Sequence, residues 1–489
     1  MGTSSFWPWL GTLGLVLLGL MLAAVGLSVD STLAVLGLVA LFGGAAVLAW
    51  IGRPKLLLIG LLFFLAPIDI SKALVPPLAQ FYSPGLYLTV GHLVLLTLTG
   101  WWLFQRIVVA GRLPPFGRLD AWVLVFLSLI WIGALRSPQG TLAIASAVSY
   151  SLAVLAFYVA SHAIDEPDEW RMALAAAFAV VLLQLVYVLL QFAAKSPLPL
   201  PGSKVLPLGG LLSFGAFRPS GFLEHPNALA DHMTLVMPPA LALVLLGRRR
   251  LPRPVWWAAL VMLGAASVQI VLSLSRGGWI SAALGMALVV AVYWRRGLVS
   301  GGHVLGGAGA LVLAAAIGIA LYPSILLRLT GPDDRATESR LILNNQAIAI
   351  IQTAPITGVG FGSYNRAAYE TIAPAFALIS PEYQQSLLRL VVHNHYLLLA
   401  AELGIPTALF FLLLLASFTR VPWSVPRWHD PALYALAIGL VGSVLAQMLF
   451  LNSDNYYADI RIFMLWLMLG TLRGVCRTAR HAARARPAT

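Results

Sequence analysis

Long runs of apolar residues, separated by short polar connections, extend along almost the whole chain of 489 residues. A helix needs roughly 20 mostly apolar residues to cross about 30 Å of hydrocarbon. The pattern predicts fourteen such spans, or twelve if some short runs do not cross, and so an all-α polytopic membrane protein with a bundle of 12–14 transmembrane helices. The runs are 7–27, 32–51, 55–71, 86–105, 120–136, 141–163, 170–194, 228–247, 255–274, 278–294, 302–322, 393–417, 431–451 and 459–475.

Composition supports a membrane location. Hydrophobic residues make up 60% of the chain and charged residues only 10%, whereas soluble domains carry about 25% charged residues. The net charge of +13 comes from short basic clusters between apolar runs, so no basic face for nucleic acid is expected. The single cysteine, Cys476, excludes an intramolecular disulfide.

The basic clusters predict the orientation, because Lys and Arg concentrate in cytoplasmic loops. If the spans alternate, the clusters share one side, which we expect to be the cytoplasm, with both termini there. The apolar N-terminal run has no basic segment before it and predicts a retained anchor. The clusters are Arg53 with Lys55, Arg106, Arg112 and Arg118, Arg248 to Arg253, Arg295 with Arg296, Arg420 with Arg427, and 473–486.

The spans and loops predict five regions of the chain. We expect the second of the two long outer loops to contain a helix from about Thr337 to Pro355, because apolar residues recur there at helical spacing. The regions are N-terminal transmembrane helices 1–194, a periplasmic loop 195–227, central transmembrane helices 228–322, a large periplasmic loop 323–392, and C-terminal transmembrane helices with a basic cytoplasmic tail 393–489.

Two polar segments lie at the predicted outer ends of central spans, where each charge is costly and calls for a reason. The segment from Arg218 to Asn227 collects a guanidinium, a carboxylate, an imidazole (His225) and an amide. Its structural alternative is a loop in which Arg218 pairs with Glu224. The second segment is the tight turn at Arg276, which is alternatively a headgroup anchor.

Two further segments flank the large outer loop. Glu338 and Arg340 begin its predicted helix, and a glycine run at 358–362 follows, which lacks dinucleotide-binding spacing and by itself favours a flexible surface turn. The last segment, His393-Asn394-His395-Tyr396, opens a predicted span. A neutral histidine there could accept a proton from an attacking hydroxyl; as a lone interface residue it would be structural, and His395 is the more structural of the two.

Together these segments indicate chemistry on a lipid-linked diphosphate. Arginine forks match phosphate oxygens in bidentate geometry, and a histidine supplies a base. No cofactor is predicted. The outer loops contain no D-x-D motif, and the adjacent Asp333 and Asp334 are at most a weak magnesium site, so we predict no metal site.

The segment around His393 resembles the O-antigen ligase and polymerase superfamily of bacterial membrane proteins. The resemblance is most specific in the pattern His393-Asn394, nine residues, Gly404, two residues, Thr407. It extends over about 210–410, where the chain carries similar motifs in the same order: RPSGFLEHPNALA, SLSRGG, ESR, PITGVGFGSYN and HNHYLLLAAELGI.

The resemblance implies a metal-independent, inverting glycosyltransferase of the C-type (GT-C) membrane class in the inner membrane, with a periplasmic site. His393 would deprotonate the acceptor hydroxyl, and Arg218, Arg340 and, more weakly, Arg276 would bind undecaprenyl diphosphate. The donor would be undecaprenyl-diphosphate-linked O-antigen and the acceptor lipid A–core, with membrane lipids around both. The resemblance also implies supporting roles for Asn394, His225, Asn227, His395, Glu338 and Tyr396.

Other functions use the same motifs or the same charges. O-antigen polymerases and protein O-oligosaccharyltransferases share the donor and differ in the acceptor. A lipid-linked glycan transporter would use outer arginines without breaking a bond, but transporters often place interrupted helices near the midplane. This chain concentrates polar residues at the outer edge, which favours catalysis there.

Overall fold

The computed structural model describes residues 53–75, 85–200, 216–302, 320, 322–330, 336–425, 428–456 and 460–485. The predicted spans 7–27 and 32–51 lie outside these residues, and 302–322 lies almost wholly outside them. The number of spans in the whole chain therefore stays a prediction.

Sixteen helices and one hairpin make up the described part of the chain. The first half contains α1 Pro54–Leu65, β1 Ser71–Val75, β2 Leu86–Thr89, α2 Val90–Leu103 with a π-helical extension Phe104–Val109, α3 Arg118–Leu135, α4 Thr141–His162, α5 Pro167–Ala194, α6 Pro226–Leu246, α7 Arg253–Leu272 and α8 Arg276–Arg295. The second half contains α9 Ser324–Thr330, α10 Ala336–Thr353, α11 Tyr364–Glu370, α12 Pro381–Leu388, α13 His395–Leu403, α14 Ile405–Phe418, α15 Pro431–Phe450 and α16 Ile460–Ala485, with short 3₁₀ turns at Pro374–Leu378 and Val421–Ser424.

Nine of the described helices are long and apolar enough to cross a membrane, namely α2 with its extension, α3 to α8, α15 and α16. Two shorter apolar helices, α1 and α14, accompany them. These helices confirm the prediction of an all-α polytopic membrane protein, with the hairpin β1–β2 as the exception in the described residues.

The hairpin corrects two predicted spans. Helix α1 ends at Leu65, and the rest of the run 55–71 leads into β1. The run 86–105 begins as β2, which pairs antiparallel with β1 (Ser71 opposite Thr89). The helix then starts at Val90, because the Thr89 hydroxyl accepts a hydrogen bond from the His92 N–H at 3.2 Å. Short apolar runs do not by themselves distinguish a strand from a helix.

The predicted span 393–417 is also corrected, because Gly404 breaks it into α13 and α14. Gly404 has φ +88°, and a Cβ at this position would lie only 1.9 Å from the Ile356 carbonyl oxygen. The Ile405 N–H donates to the Pro355 carbonyl at 2.9 Å. The break therefore forms where the loop after α10 packs against the helix backbone.

Helices α6, α15 and α16 lie in the centre of the bundle and are almost completely buried. Helix α6 packs against α15, and α16 packs against α4. Close approach of α8 and α15 depends on small residues, since a Cβ at Gly442 would lie 2.7 Å from the Gly285 carbonyl oxygen. Such small-residue contacts are typical of membrane helices, which gain little from apolar burial against each other.

Ion pairs join five helices at one end of the bundle, which we call the Asp120 end. Asp120 at the start of α3 contacts His162 at the end of α4 and Arg473 of α16. Lys55 of α1 lies 2.7 Å from Glu169 of α5. These helix ends meet as the predicted alternation of spans requires, while the side of the membrane on which they lie stays a prediction.

The loop between α9 and α13 forms a small helical layer with its own core at the opposite end, the Arg218 end. Helix α10 buries Leu343, Ala347 and Ile350 against Tyr364 of α11 and Phe376, and it packs on α13. The helix predicted between Thr337 and Pro355 is thus present as α10, and it covers the start of α13.

We predict that Gly404→Ala lowers the free energy of unfolding by on the order of 3 kcal/mol, because the new Cβ overlaps the Ile356 carbonyl. The matched control is Gly264→Ala, since a Cβ at Gly264 in α7 meets nothing within 4 Å. Thermal unfolding in detergent measures both variants. Equal melting temperatures for Gly404→Ala and the wild type would contradict the tight packing of this break.

Candidate active site

The loop before α6 carries Arg218 and is held by Gln191 of α5. The Gln191 side-chain oxygen accepts hydrogen bonds from the backbone N–H groups of Ser220 (3.2 Å) and Gly221 (2.9 Å). Gly221 has φ +63°, which a glycine adopts without strain. Because Gln191 satisfies the backbone, the loop can lie buried between helices.

Arg218 is 8% exposed and is fixed by two hydrogen bonds. Its Nε donates to the Ser273 carbonyl at 2.7 Å, and its Nη2 donates to Asn227 Oδ1 at 2.8 Å. These contacts do not support the alternative in which Arg218 pairs with Glu224. The Glu224 carboxylate lies 3.9 Å from Arg461.

A second arginine, Arg328 of α9, reaches the same helix end as Arg218. Its Nε donates to the Leu274 carbonyl at 3.3 Å, one residue beyond the carbonyl that Arg218 uses. Leu274 has φ +49° and follows the C-terminus of α7, where carbonyls lack helical partners and the helix dipole is negative. Sequence reasoning missed Arg328, and its only signal was a charge among the leucines of α9.

The arginines create a strongly positive environment at the Arg218 end. Burial lowers the pKa of the Arg218 guanidinium to about 9, Arg328 and Arg340 contribute to this shift, and Asp454 opposes it. Among the described residues, no hydrogen-bond or ion-pair partner is found for Arg340, which is partly buried on α10. The arrangement therefore favours an anionic ligand.

Arg276 and Glu338 are the two other charged residues that the sequence predicted for the site. Arg276 is the first residue of α8 and partly buried, and Ser275 caps that helix by accepting from the Gly278 N–H at 3.4 Å. A Cβ at Gly277 would lie 2.5 Å from Ser453 Oγ, so the glycines of this turn permit close packing. Glu338 is exposed near the start of α10. The roles of both residues stay predictions.

His393 lies next to a carboxylate that sequence reasoning missed. Its Nδ1 is 3.5 Å from Oδ1 of Asp454, which is buried in the turn between α15 and α16, and the His393 side chain is 36% exposed. Burial alone would raise the pKa of Asp454, but Arg461 and His393 hold it well below its usual range. Asp454 is therefore ionised, and the imidazole faces this carboxylate with Nδ1.

Arg461, also missed, completes this pair from the start of α16. Its Nη1 lies 3.4 Å from Asp454 Oδ2, and both side chains are buried. The signals in the sequence were faint: a polar run, Asn452-Ser453-Asp454-Asn455, between two spans, and one arginine at the start of the last span.

His395, in contrast, is buried and its ring has two partners. Its Nδ1 accepts a hydrogen bond from the Tyr456 N–H at 3.3 Å, so the ring hydrogen is on Nε2, which lies 3.3 Å from the Tyr150 hydroxyl. Both ring nitrogens are thus occupied within the protein. This geometry favours a structural role for His395 and leaves His393 as the candidate base.

Asn394 and Tyr396 fix the start of α13. The Asn394 side-chain oxygen accepts from the N–H groups of Tyr396 (3.0 Å) and Leu397 (3.1 Å), which caps the helix. The Asn394 amide donates to Asn452 at 2.9 Å, and the Tyr396 hydroxyl donates to the Met448 carbonyl at 2.8 Å. Both side chains therefore hold His393 close to the turn that carries Asp454.

His225 links the arginines to the His393–Asp454 pair. It caps α6, with Nδ1 accepting from the Asn227 N–H at 3.1 Å. Burial lowers the pKa of His225 to about 3, Arg218 contributes, and Asp454, Arg461 and His393 also act on it. His225 is thus neutral near pH 7, and the charged groups on both sides lie within electrostatic range of it.

The glycine run at 358–362 is not a flexible turn in this structure. Val359 and Gly360 donate from their N–H groups to the carbonyls of Ala401 (3.0 Å) and Glu402 (2.9 Å). The Glu402 carboxylate accepts from the Tyr364 N–H at 3.0 Å. The run thus docks onto the end of α13, and its contribution to the site is structural.

No group of three or more His, Cys, Asp or Glu side chains with metal-ligand geometry occurs in the part of the chain that the structure describes. Asp333 and Asp334 lie outside the described residues.

The fold and the site define a polytopic membrane protein with buried arginines and a histidine–carboxylate pair at one end of its bundle. A family model described as O-antigen ligase matches residues 261–412, and this match supports the predicted membership of the O-antigen ligase/polymerase family. A comparison with curated proteins gives no match. The matched segment contains Arg276, Arg328, Arg340 and His393, whereas Arg218 and Asp454 lie on either side of it. The match supports an enzyme of the ligase or polymerase type.

We predict that acid destabilises the wild type more than His225→Asn. Unfolded His225 binds a proton below about pH 6.5, but folded His225 binds one only near pH 3. The free energy of unfolding should therefore fall between these values by up to about 1.4 kcal/mol per pH unit, and the variant lacks this contribution. Melting temperatures at pH 7.5, 6 and 5 measure the effect. Parallel curves for the two proteins would contradict the buried, neutral state of His225.

Proposed function

We propose that this protein is an O-antigen ligase, which transfers a glycan from undecaprenyl diphosphate to a sugar hydroxyl of lipid A–core during lipopolysaccharide biosynthesis. The observation that carries the proposal is the His393–Asp454 pair, with Nδ1 and Oδ1 3.5 Å apart, at the same end of the bundle as Arg218 and Arg340. The protein lies in the bacterial inner membrane, with the site facing the periplasm and both termini in the cytoplasm.

The arginines bind the diphosphate of the donor. Arg218 is held rigidly through Nε and Nη2, which leaves Nη1 for a phosphate oxygen, and Arg340 approaches from α10 as a second fork. Arg276 is a weaker third candidate. Charge-assisted hydrogen bonds from guanidinium groups are short and strong, and they stabilise the negative charge that develops on the leaving diphosphate.

His393 acts as the base. The acceptor hydroxyl attacks the anomeric carbon from the face opposite the diphosphate, and its proton passes to Nε2 of His393. The new glycosidic C–O bond forms as the bond between the anomeric carbon and the diphosphate oxygen breaks, so undecaprenyl diphosphate leaves and the configuration inverts. Asp454 is a positioning residue, since it holds the imidazole and stabilises the imidazolium.

These residues require neither a cofactor nor a metal ion for the step, and we propose a metal-independent GT-C mechanism. The arginines supply the positive charge that a divalent cation supplies in other transferases. An O-antigen polymerase or a protein O-oligosaccharyltransferase would use the same donor site with another acceptor, and a lipid-linked glycan transporter would use it without transfer. The experiment below separates these functions.

We predict that purified protein transfers glycan from undecaprenyl-diphosphate-linked O-antigen to lipid A–core in the presence of EDTA, and that His393→Ala abolishes transfer because it removes the base. The matched control is His481→Ala, an exposed histidine in α16, which should retain wild-type activity. Gel analysis of the product measures both.

Normal turnover by His393→Ala would exclude His393 as the base, and elongation of the donor alone would indicate a polymerase. Glycosylation only of added protein, or donor translocation without transfer, would reassign the function accordingly.

We also predict that Arg218→Ala and Arg340→Ala each lower kcat/KM for the donor about 10- to 100-fold, since a hydrogen bond to a charged group contributes about 1.5–3 kcal/mol. Lysine should rescue only partly. At position 340 it has no planar fork, and at position 218 it cannot keep the contacts of Nε and Nη2 while it reaches the phosphate. Arg171→Ala is the control: Arg171 is exposed and pairs with Asp168 at the Asp120 end. Initial rates at varied donor concentration give the comparison. Full activity of Arg340→Lys would argue against bidentate recognition by Arg340, and full activity of Arg218→Lys would argue against the need for its contacts with Ser273 and Asn227.

A further inference from the structure

The turn that carries Asp454 is fixed by hydrogen bonds from the His395 backbone N–H and from the Asn455 side-chain amide. The His395 N–H donates to the carbonyls of Leu451 (2.8 Å) and Asp454 (3.1 Å). The Asn455 amide donates to the Val392 carbonyl at 3.0 Å. These contacts fix the position of the turn, and within it the Asn455 N–H donates to Asp454 Oδ1 at 2.8 Å, the oxygen that lies 3.5 Å from His393 Nδ1.

Tyr456 extends from the same turn into the membrane-spanning bundle. Its hydroxyl contacts Oδ1 of Asp231 on α6 and lies 2.5 Å from Oε1 of Gln447 on α15. The Gln447 amide donates to Asp231 Oδ1 at 2.8 Å. Asp231 is completely buried, one helical turn below Asn227, which binds Arg218. A carboxyl group within a membrane-spanning helix is costly and usually serves a function.

Tyr456 also contacts His395 and Arg461, which both lie next to Asp454. Its N–H donates to Nδ1 of His395 at 3.3 Å, and its ring centre lies 5.1 Å from the Arg461 guanidinium carbon. This distance is typical of a cation–π contact. One side chain thus connects Asp231, beneath the site, to Arg461, which lies 3.4 Å from the Asp454 carboxylate.

We propose that Tyr456, anchored through its hydroxyl to Asp231 and Gln447, is a positioning residue that sets the orientation of Asp454 against His393. This inference rests on the proposed function of the His393–Asp454 pair. Without the hydroxyl, the Tyr456 ring and the Arg461 guanidinium lose their fixed position. The Asp454 carboxylate, still held at Oδ1 by the Asn455 N–H, then loses the orientation that Arg461 gives it at Oδ2. Tyr456→Phe removes only the hydroxyl and keeps the ring.

The test is a double-mutant cycle on the transfer reaction. Tyr456→Phe should lower kcat about 10- to 100-fold, because a small misplacement of a catalytic group has effects of this size, with KM for the donor unchanged. In the Asp454→Asn background, Tyr456→Phe should change kcat by less than about threefold, because residues that act as one unit are not additive. A residue with a general structural role would give the same factor in both backgrounds.

Three further variants control for stability and for the anchor. Tyr293→Phe removes another buried hydroxyl, which donates to the Ala242 carbonyl at 2.9 Å between α8 and α6, and should keep wild-type kcat. Asp231→Asn keeps an acceptor oxygen for Tyr456 and should retain most of kcat, whereas Asp231→Leu should match Tyr456→Phe. Melting temperatures of all variants verify that they are folded.

The outcomes separate this inference from the proposed function. If the wild type transfers glycan and Tyr456→Phe keeps wild-type kcat, or the two effects multiply fully, the positioning role is wrong and the ligase assignment stands. If Asp454→Asn has wild-type kcat, Asp454 does not act on His393, and the role of Tyr456 fails with it. If the wild type transfers nothing, the proposed function fails first and the positioning role falls with it.

Discussion

The structure depends on one constraint: charges in hydrocarbon must be neutralised by nearby partners or placed where water reaches them. At the Arg218 end, Arg218 and Arg328 donate to two consecutive carbonyls that α7 leaves without helical partners. Asp454 and Arg461 neutralise each other. Each of these solutions holds a charged group rigidly and still within reach of the surface. The pairing that permits charge in a membrane protein therefore also preorganises its candidate active site.

The sequence was informative where one property decided the structure. In the described part of the chain, most of the predicted spans are helices, because a helix satisfies its backbone hydrogen bonds internally in lipid. It was misleading where two properties competed. The run 55–71 is mostly apolar, yet its helical part ends at Leu65 and β1 begins at Ser71. The break at Gly404 does not interrupt the hydrophobic run, and its cause is the carbonyl of Ile356, which is distant in sequence.

Like the fold, the candidate site was predicted from the sequence only in part. Arg218, Arg340 and His393 lie in dense polar segments, which the sequence displays directly, and the structure keeps them as candidates. Asp454, Arg461 and Arg328 were missed because each is a single charge whose meaning depends on a partner from another helix. The sequence favoured His393 over His395 as the base, and the contacts of His395 with Tyr456 and Tyr150 give a physical reason for that preference.

The ion pairs at the Asp120 end have a mechanical consequence. Lys55 with Glu169, Asp120 with His162 and Arg473, and Arg477 with Asp165 tie α1, α3, α4, α5 and α16 together near their ends. Helices joined in this way can tilt about the tied end, but they cannot slide past one another without separating these charges. The Asp120 end is therefore the more firmly tied end of the bundle. A widening that admits a lipid from the side is expected to be larger toward the Arg218 end, where the proposed site lies.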